Sequence, residues 1–264
     1  MQNLIIIFLI YLFISLTKAE NSVILQSTTS LKNSGFYDYI LPLIYKDLGI
    51  KVNVVAVGTG AAIRNSMNCD GDLLIVHSPQ QEKTFIENGF SDKKHYIMHN
   101  YYVVIGPKND PANINNLSIQ SAFKKIFEKK SLFISRGDNS GTHYREKMIW
   151  KSLSLNTFKF LENWYLETGT NMGTTINTAV GLNAYTFTDK ATWLAFKNKL
   201  DFIIHVDNEN TLVNEYNALL VNKSKCPYSK HKLSREILLW LLSDKAKKNI
   251  MKIKKNNKQL FFIK

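Results

Sequence analysis

Hydroxyl and glycine residues gather at four places in this chain: Ser27 to Ser30, Gly58 to Gly60, Ser135 to Thr142, and Thr168 to Thr178. Each follows an apolar run, and the first three each precede a segment read as helix. A helix start leaves backbone N–H groups without partners and carries the positive end of the macrodipole. An anion placed there is both hydrogen-bonded and electrostatically favoured. Ser and Thr hydroxyls add neutral donors, and Gly60 and Gly141 clear the way where a ligand must approach backbone. One such cluster is ordinary N-capping, worth about 1 kcal/mol. Four of them beyond strand ends point to a binding site for a small anion. Its candidate residues are Thr28, Thr29, Ser30, Thr59, Gly60, Ser78, Arg136, Ser140, Gly141, Thr142 and Thr170.

Other chemistries fit less well. Gly58, Thr59 and Gly60 after a strand suggest a dinucleotide fingerprint, but Ile63 stands where its third glycine belongs, and no GK[ST] sequence occurs. No G-x-S-x-G elbow is present, so a secreted hydrolase using Ser or Thr at a helix start is the competing reading, with no catalytic residue assigned. His95 and His99 have the i, i+4 spacing of a helical metal pair, yet HYIMH lacks a metalloprotease glutamate and no metal site is assigned. Cys69 and Cys226 are too few and too far apart for a metal site. They form either one disulfide or two inert buried thiols.

The elements that position these clusters alternate between strand and helix. Strands are expected at Val23–Gln26, Val52–Val57, Asp72–Val76, Tyr101–Ile105, Leu132–Ile134 and Phe202–His205, with helices over Gly35–Leu48, Ser121–Lys129 and Ser234–Lys252. That order predicts an α/β fold whose sheets are mainly parallel, with ligands bound beyond the carboxyl ends of the strands. The loop Gly106–Pro111 is rich in turn residues and marks a linker.

The 264 residues, 45% of them hydrophobic, support one large domain or two lobes. A formal charge of +13 attracts anions of any kind. Much of it falls in the Lys-rich stretch Lys245–Lys258, which has no interleaved aromatics and reads as a solvated face, so nucleic acid is not the expected partner. The apolar run Leu4–Leu16, followed by small residues at Thr17 and Ala19, has the pattern of a secretory signal. It is short for a membrane span. Cleavage near Ala19 would leave an exported protein.

SRGDNSGTH at Ser135–His143, AVGTG at Ala56–Gly60 and WYLETGTNMG at Trp164–Gly173 closely resemble the tungstate-binding proteins of ABC importers. The same family has a TTS motif, here Thr28–Ser30, and a VH.P segment like Val76–Pro79. It also has a hinge like Ile105–Pro111 and an AYT.TD stretch like Ala184–Asp189. The resemblance spans nearly the whole mature chain in the right order.

It implies a two-lobed type II periplasmic-binding-protein fold closing on tungstate or molybdate, with no cofactor. The partner would be an ABC transporter permease in the inner membrane, and the protein a monomeric periplasmic one. Residues 1–19 would be the signal peptide, 20–106 and 207–264 the first lobe, and 107–206 the second. Both cysteines then fall in the first lobe, where a disulfide is feasible. Arg136 is expected either to touch the anion or to be held by Asp138. Phosphate binders have a similar R.D.SGT segment together with an acidic acceptor in the first lobe. Here His77 and Ser78 stand in that place, favouring an anion without a proton, with sulfate and phosphate as alternative ligands. A sensor role is compatible with the same motifs.

Overall fold

The computed structural model describes residues 21–155, 163–207 and 211–264. The predicted signal segment lies outside them. Among the described residues no helix is long and apolar enough to cross a membrane.

Nine strands form one mixed sheet in which parallel ladders flank an antiparallel centre. On one side β1 (Ser22–Thr28) lies between β2 (Lys51–Val57) and β3 (Leu73–Val76), all parallel. On the other side β5 (Phe133–Ser135) lies between β6 (Tyr165–Glu167) and β7 (Tyr185–Asp189), again parallel. Between them runs β4, the 14-residue strand Lys94–Pro107. Its first half pairs antiparallel with β9 (Val213–Leu220), which also pairs β3. Its second half pairs β7 and β8 (Phe202–Val206). The sheet therefore has two halves joined through β4.

Helices cover both halves: α1 (Thr29–Asn33), α2 (Phe36–Leu48), α3 (Thr59–Met67), α4 (Pro79–Glu87), α5 (Ile119–Glu128), α6 (Gly141–Ser152), α7 (Met172–Gly181), α8 (Lys190–Ala195), α9 (His231–Leu242) and α10 (Asp244–Ile250). Short polar side chains start many of them. Thr28, Ser118, Ser140, Asn171, Asp189 and Ser243 each accept a backbone N–H from the first turn of their helix, the ordinary way to satisfy those donors. Gly49 closes α2 in a left-handed conformation, φ 66°. The largest apolar cluster packs α2 and α9 on the first half, around Phe36, Ile40, Ile237 and Phe261. A second, aromatic cluster around Phe123, Phe133 and Trp150 packs α5 and α6 on the other half.

Two expectations need correction. His95 and His99 lie on β4, so their spacing has no helical meaning; His99 Nδ1 instead sits 2.6 Å from the Tyr96 hydroxyl. The helix expected over Ser234–Lys252 breaks at Ser243, which turns extended (ψ 155°) and caps α10. The Lys-rich segment beyond it folds back as a hairpin, Lys254–Lys255 against Lys258–Gln259. Cys69 and Cys226 form a disulfide.

Candidate functional site

Because β1, β2 and β3 are parallel, the residues that follow them, Thr28 to Ser30, Gly58 to Gly60 and His77 to Ser78, emerge along one edge. Ser135 to Thr142 and Thr168 to Asn171 emerge likewise beyond β5 and β6. All four clusters precede helices, since Thr168–Thr178 turns into α7 behind an Asn171 cap. The two edges face each other. Gly141 N donates to Thr59 Oγ1 across the cleft at 3.3 Å, and Gln81 Nε2 donates to the Asn139 carbonyl at 3.2 Å. A Cβ on Gly141 would stand 2.7 Å from the His77 carbonyl oxygen. Only a residue without a side chain allows this approach.

Arg136 is a buried cation at this junction, and only 3% of it is exposed. Its Nη2 pairs closely with Asp138 Oδ2, and its Nε donates to the Thr170 carbonyl at 3.4 Å. Asp138 Oδ1 accepts the Ser140 N–H at 3.1 Å, and Asn139 N donates to His143 Nδ1 at 3.0 Å. The loop carrying these groups uses left-handed backbone at Gly137 (φ 61°) and Asn139 (φ 58°). Behind it the buried Glu146 carboxylate accepts from Ser135 Oγ, Trp150 Nε1 and Tyr165 OH. Burial raises the Glu146 pKa to about 7, opposed by those hydrogen bonds. Arg136 thus stands on a braced platform with two of its five N–H donors engaged.

A cavity of about 280 Å³ opens beside Arg136; Thr29, Gly60, Arg136 and Thr170, all predicted, line it together with Arg64 and Asn171. Gly141 instead lines a neighbouring space of about 390 Å³ beside His77 and Arg145. Thr28, Ser30, Thr59, Ser78, Ser140 and Thr142 are buried. Ser78 Oγ and Thr142 Oγ1, one from each side, are buried without a hydrogen-bond partner in the protein. Buried hydroxyls are ordinarily paired, so these two keep hydrogen-bonding capacity that the protein leaves unused.

Other predicted groups are engaged internally. Thr28 Oγ1 accepts Leu31 N, and Ser30 Oγ lies 3.2 Å from Thr28 Oγ1 and 3.4 Å from His77 Nε2. Ser27, at the head of the first cluster, turns into the core, donating to the Ile75 carbonyl and accepting from Tyr37. Thr170 contributes its carbonyl to Arg136. Arg64 escaped sequence reasoning because it lies a full turn into α3, outside any motif. Glu82, four residues past Ser78, is buried too, but its oxygens accept Ser78 N and Asn217 Nδ2. Among the described residues no group of three or more His, Cys, Asp or Glu is placed to hold a metal ion.

Comparison with known proteins shows the family. Residues 17–245 match the model of the PBP superfamily domain. The tungstate-binding protein TupA of Peptoclostridium acidaminophilum is 37% identical over 233 residues, covering 87% of this chain and 80% of the relative. Among solved structures, the tungstate-binding protein TupA from Desulfovibrio alaskensis G20 superposes with a TM-score of 0.79 at 37% identity, covering 91% of this chain and 98% of that one. The tungstate ABC transporter structure from Geobacter sulfurreducens gives 0.81 at 37% identity, covering 88% and 98%. With its paired helix starts, its buried arginine and these relatives, the chain belongs to the TupA family of tungstate-binding proteins within the PBP superfamily.

Proposed function

We propose that this protein is exported to the periplasm, captures tungstate or molybdate between the two sheet halves, and delivers it to the permease of an ABC transporter. Binding, not catalysis, is its activity. The halves act as lobes divided near 106/107 and 206/207, where β4 and β8 end. Thr28, Thr29, Ser30, Thr59, Gly60 and Ser78 form one jaw, and Arg136, Ser140, Gly141, Thr142 and Thr170 the other.

The observation that carries the choice of ligand is the state of the nearby carboxylates. Asp138 is held by Arg136 and the Ser140 N–H, and Glu82 by Ser78 N and Asn217. Glu82 does not line the cavity, and Asp138, which does, is ion-paired with Arg136, so no carboxylate without a cation faces the ligand and the site favours an oxyanion that carries no proton at neutral pH. An enclosed dianion loses its hydration and needs donors at every oxygen. The Ser78 and Thr142 hydroxyls, the Arg136 guanidinium and the helix-start N–H groups supply them.

Isothermal titration with tungstate, molybdate, sulfate and phosphate tests this. Tungstate and molybdate should bind well below millimolar concentration and tighter than phosphate. No binding of any of them below millimolar would end the oxyanion reading. Thermal stabilisation by the bound anion, with no hydrolysis of ester substrates, should accompany the binding.

A further inference from the structure

His77 is buried beside the cleft, with hydrogen-bond partners at both ring nitrogens. Its Nδ1 lies 2.9 Å from Asn214 Oδ1 and 3.3 Å from the Tyr102 hydroxyl, while its Nε2 lies 3.4 Å from Ser30 Oγ. Asn214 Nδ2 donates to Asn100 Oδ1 at 2.7 Å, and Asn100 Nδ2 donates to Asp189 Oδ1 at 3.0 Å. Asp189 Oδ1 also accepts Thr192 N at 2.9 Å.

The direction of every bond in this chain follows from its end. A carboxylate oxygen that already accepts a backbone N–H meets Asn100 as an acceptor, so Asn100 turns its NH₂ toward Asp189 and its carbonyl toward Asn214. Asn214 must then give its NH₂ to Asn100 and its carbonyl to His77. His77 therefore carries its proton on Nδ1. Desolvation lowers its pKa to about 4, so the ring is neutral at physiological pH and Nε2 is an acceptor. Ser30 donates to it, and the Thr28 hydroxyl donates to Ser30. The opposite face of His77 meets the second jaw, because its carbonyl and ring are what a Cβ at Gly141 would strike.

We propose that His77 is a positioning residue for both jaws: Asp189, acting through Asn100 and Asn214, fixes its tautomer, which orients Ser30 on one side while the ring seats Gly141 on the other. The role rests on the anion-binding reading and deepens it. The Thr28 and Ser30 hydroxyls then lock the first turn of α1, holding Thr29 at the cavity. With the opposite tautomer, Nε2–H would donate to Ser30 Oγ, and the Ser30–Thr28 hydroxyl pair would have to reverse its direction. The Thr28 oxygen that caps Leu31 N would then also take the Ser30 proton.

The test combines histidine ¹⁵N NMR with tungstate titration of the full chain. In the wild type at neutral pH, His77, assigned by loss of its signal in His77→Gln, should show the Nδ1–H tautomer. Asp189→Asn keeps a good N-cap for α8 but can donate as well as accept, so it releases the chain. It should move His77 toward Nε2–H and weaken tungstate binding by about tenfold, the size of one misdirected buried hydrogen bond. If Asp189→Asn does not fold, His77→Gln carries the affinity arm, with the same loss expected at an unchanged Tm. A wild-type His77 protonated on Nε2 would overturn the proposal. So would a tautomer change, or His77→Gln, that leaves tungstate affinity intact. Because the tautomer is read without ligand, failure of the wild type to bind any oxyanion would be recognised separately as failure of the functional reading.

Discussion

Thr59 Oγ1 accepts the Gly141 backbone N–H at 3.3 Å, joining the start of α3 to the start of α6 across the cleft. Closure thus depends on a main-chain approach that no side chain at position 141 would permit. In Gly141→Ala the added Cβ would stand 2.7 Å from the His77 carbonyl oxygen, and the jaws should stay apart. Tungstate affinity should fall by about 100-fold or more, equivalent to roughly 3 kcal/mol, while the Tm without ligand changes little. Small-angle scattering should show no ligand-induced compaction. Wild-type affinity in this variant would mean that the contact plays no part in binding.

Arg136 is buried against Asp138. Arg136→Ala leaves that carboxylate without its cation in a largely buried site, at a cost of about 3 kcal/mol in stability, and removes one of the two arginines beside the cavity. Urea unfolding should register the first effect and titration a large loss of tungstate affinity. Arg136→Lys should recover only part of each, since an ammonium cannot reproduce the planar fork. Unchanged binding in Arg136→Ala would take this residue out of the site.

The Cys69–Cys226 disulfide closes a separation of 157 residues. In the double Cys→Ser variant, stability by denaturant titration should drop by about 2–4 kcal/mol, most of it through a less restricted unfolded chain. Alkylation of the native protein without reductant should label neither thiol; labelling of both would reject the bridge.

Four buried groups set the acid response. His77 and His143 have pKa values lowered to about 4 by burial, so their contribution is full above 6.5 and is lost as pH falls toward 4. Glu82 and Glu146 have values raised to about 7 by burial, so theirs is full below 4.5 and is lost as pH rises through 7. Between pH 4.5 and 6.5 the two pairs oppose, and the wild-type Tm should vary little. Removing one carboxylate with Glu146→Gln should unmask the histidines and make the Tm fall on acidification. A Tm–pH curve for Glu146→Gln parallel to the wild type would contradict this balance.

What the sequence disclosed was local chemistry. A helix cap and its first turn lie within a few residues, so Thr28, Ser140 and the SGT segment could be placed without a fold, and Arg136 followed from its neighbours. Asn100, Asn214 and Asp189 could not, because they meet from separate strands, 114 and 89 residues apart along the chain. The first half of β4 was equally hidden. HYIMHNY has no clean alternation, since its residues are covered by β9, by the aromatic neighbours of His99 and by the chain end, where Phe262 bridges to His99. At Ser243, the apolar face of α9 masked a capping signal that Ser-Asp carries plainly.

β4 serves both halves without a break. Its pairing shifts register twice, between Tyr96 and Met98 against β9 and between Val104 and Ile105 against β8. A member of this kind behaves as a leaf spring, not a pin joint. A rotation of one half against the other would twist this continuous ladder, whose pairing is already irregular at those two points. The restoring torque it exerts on the jaws is set by the stiffness of the sheet itself.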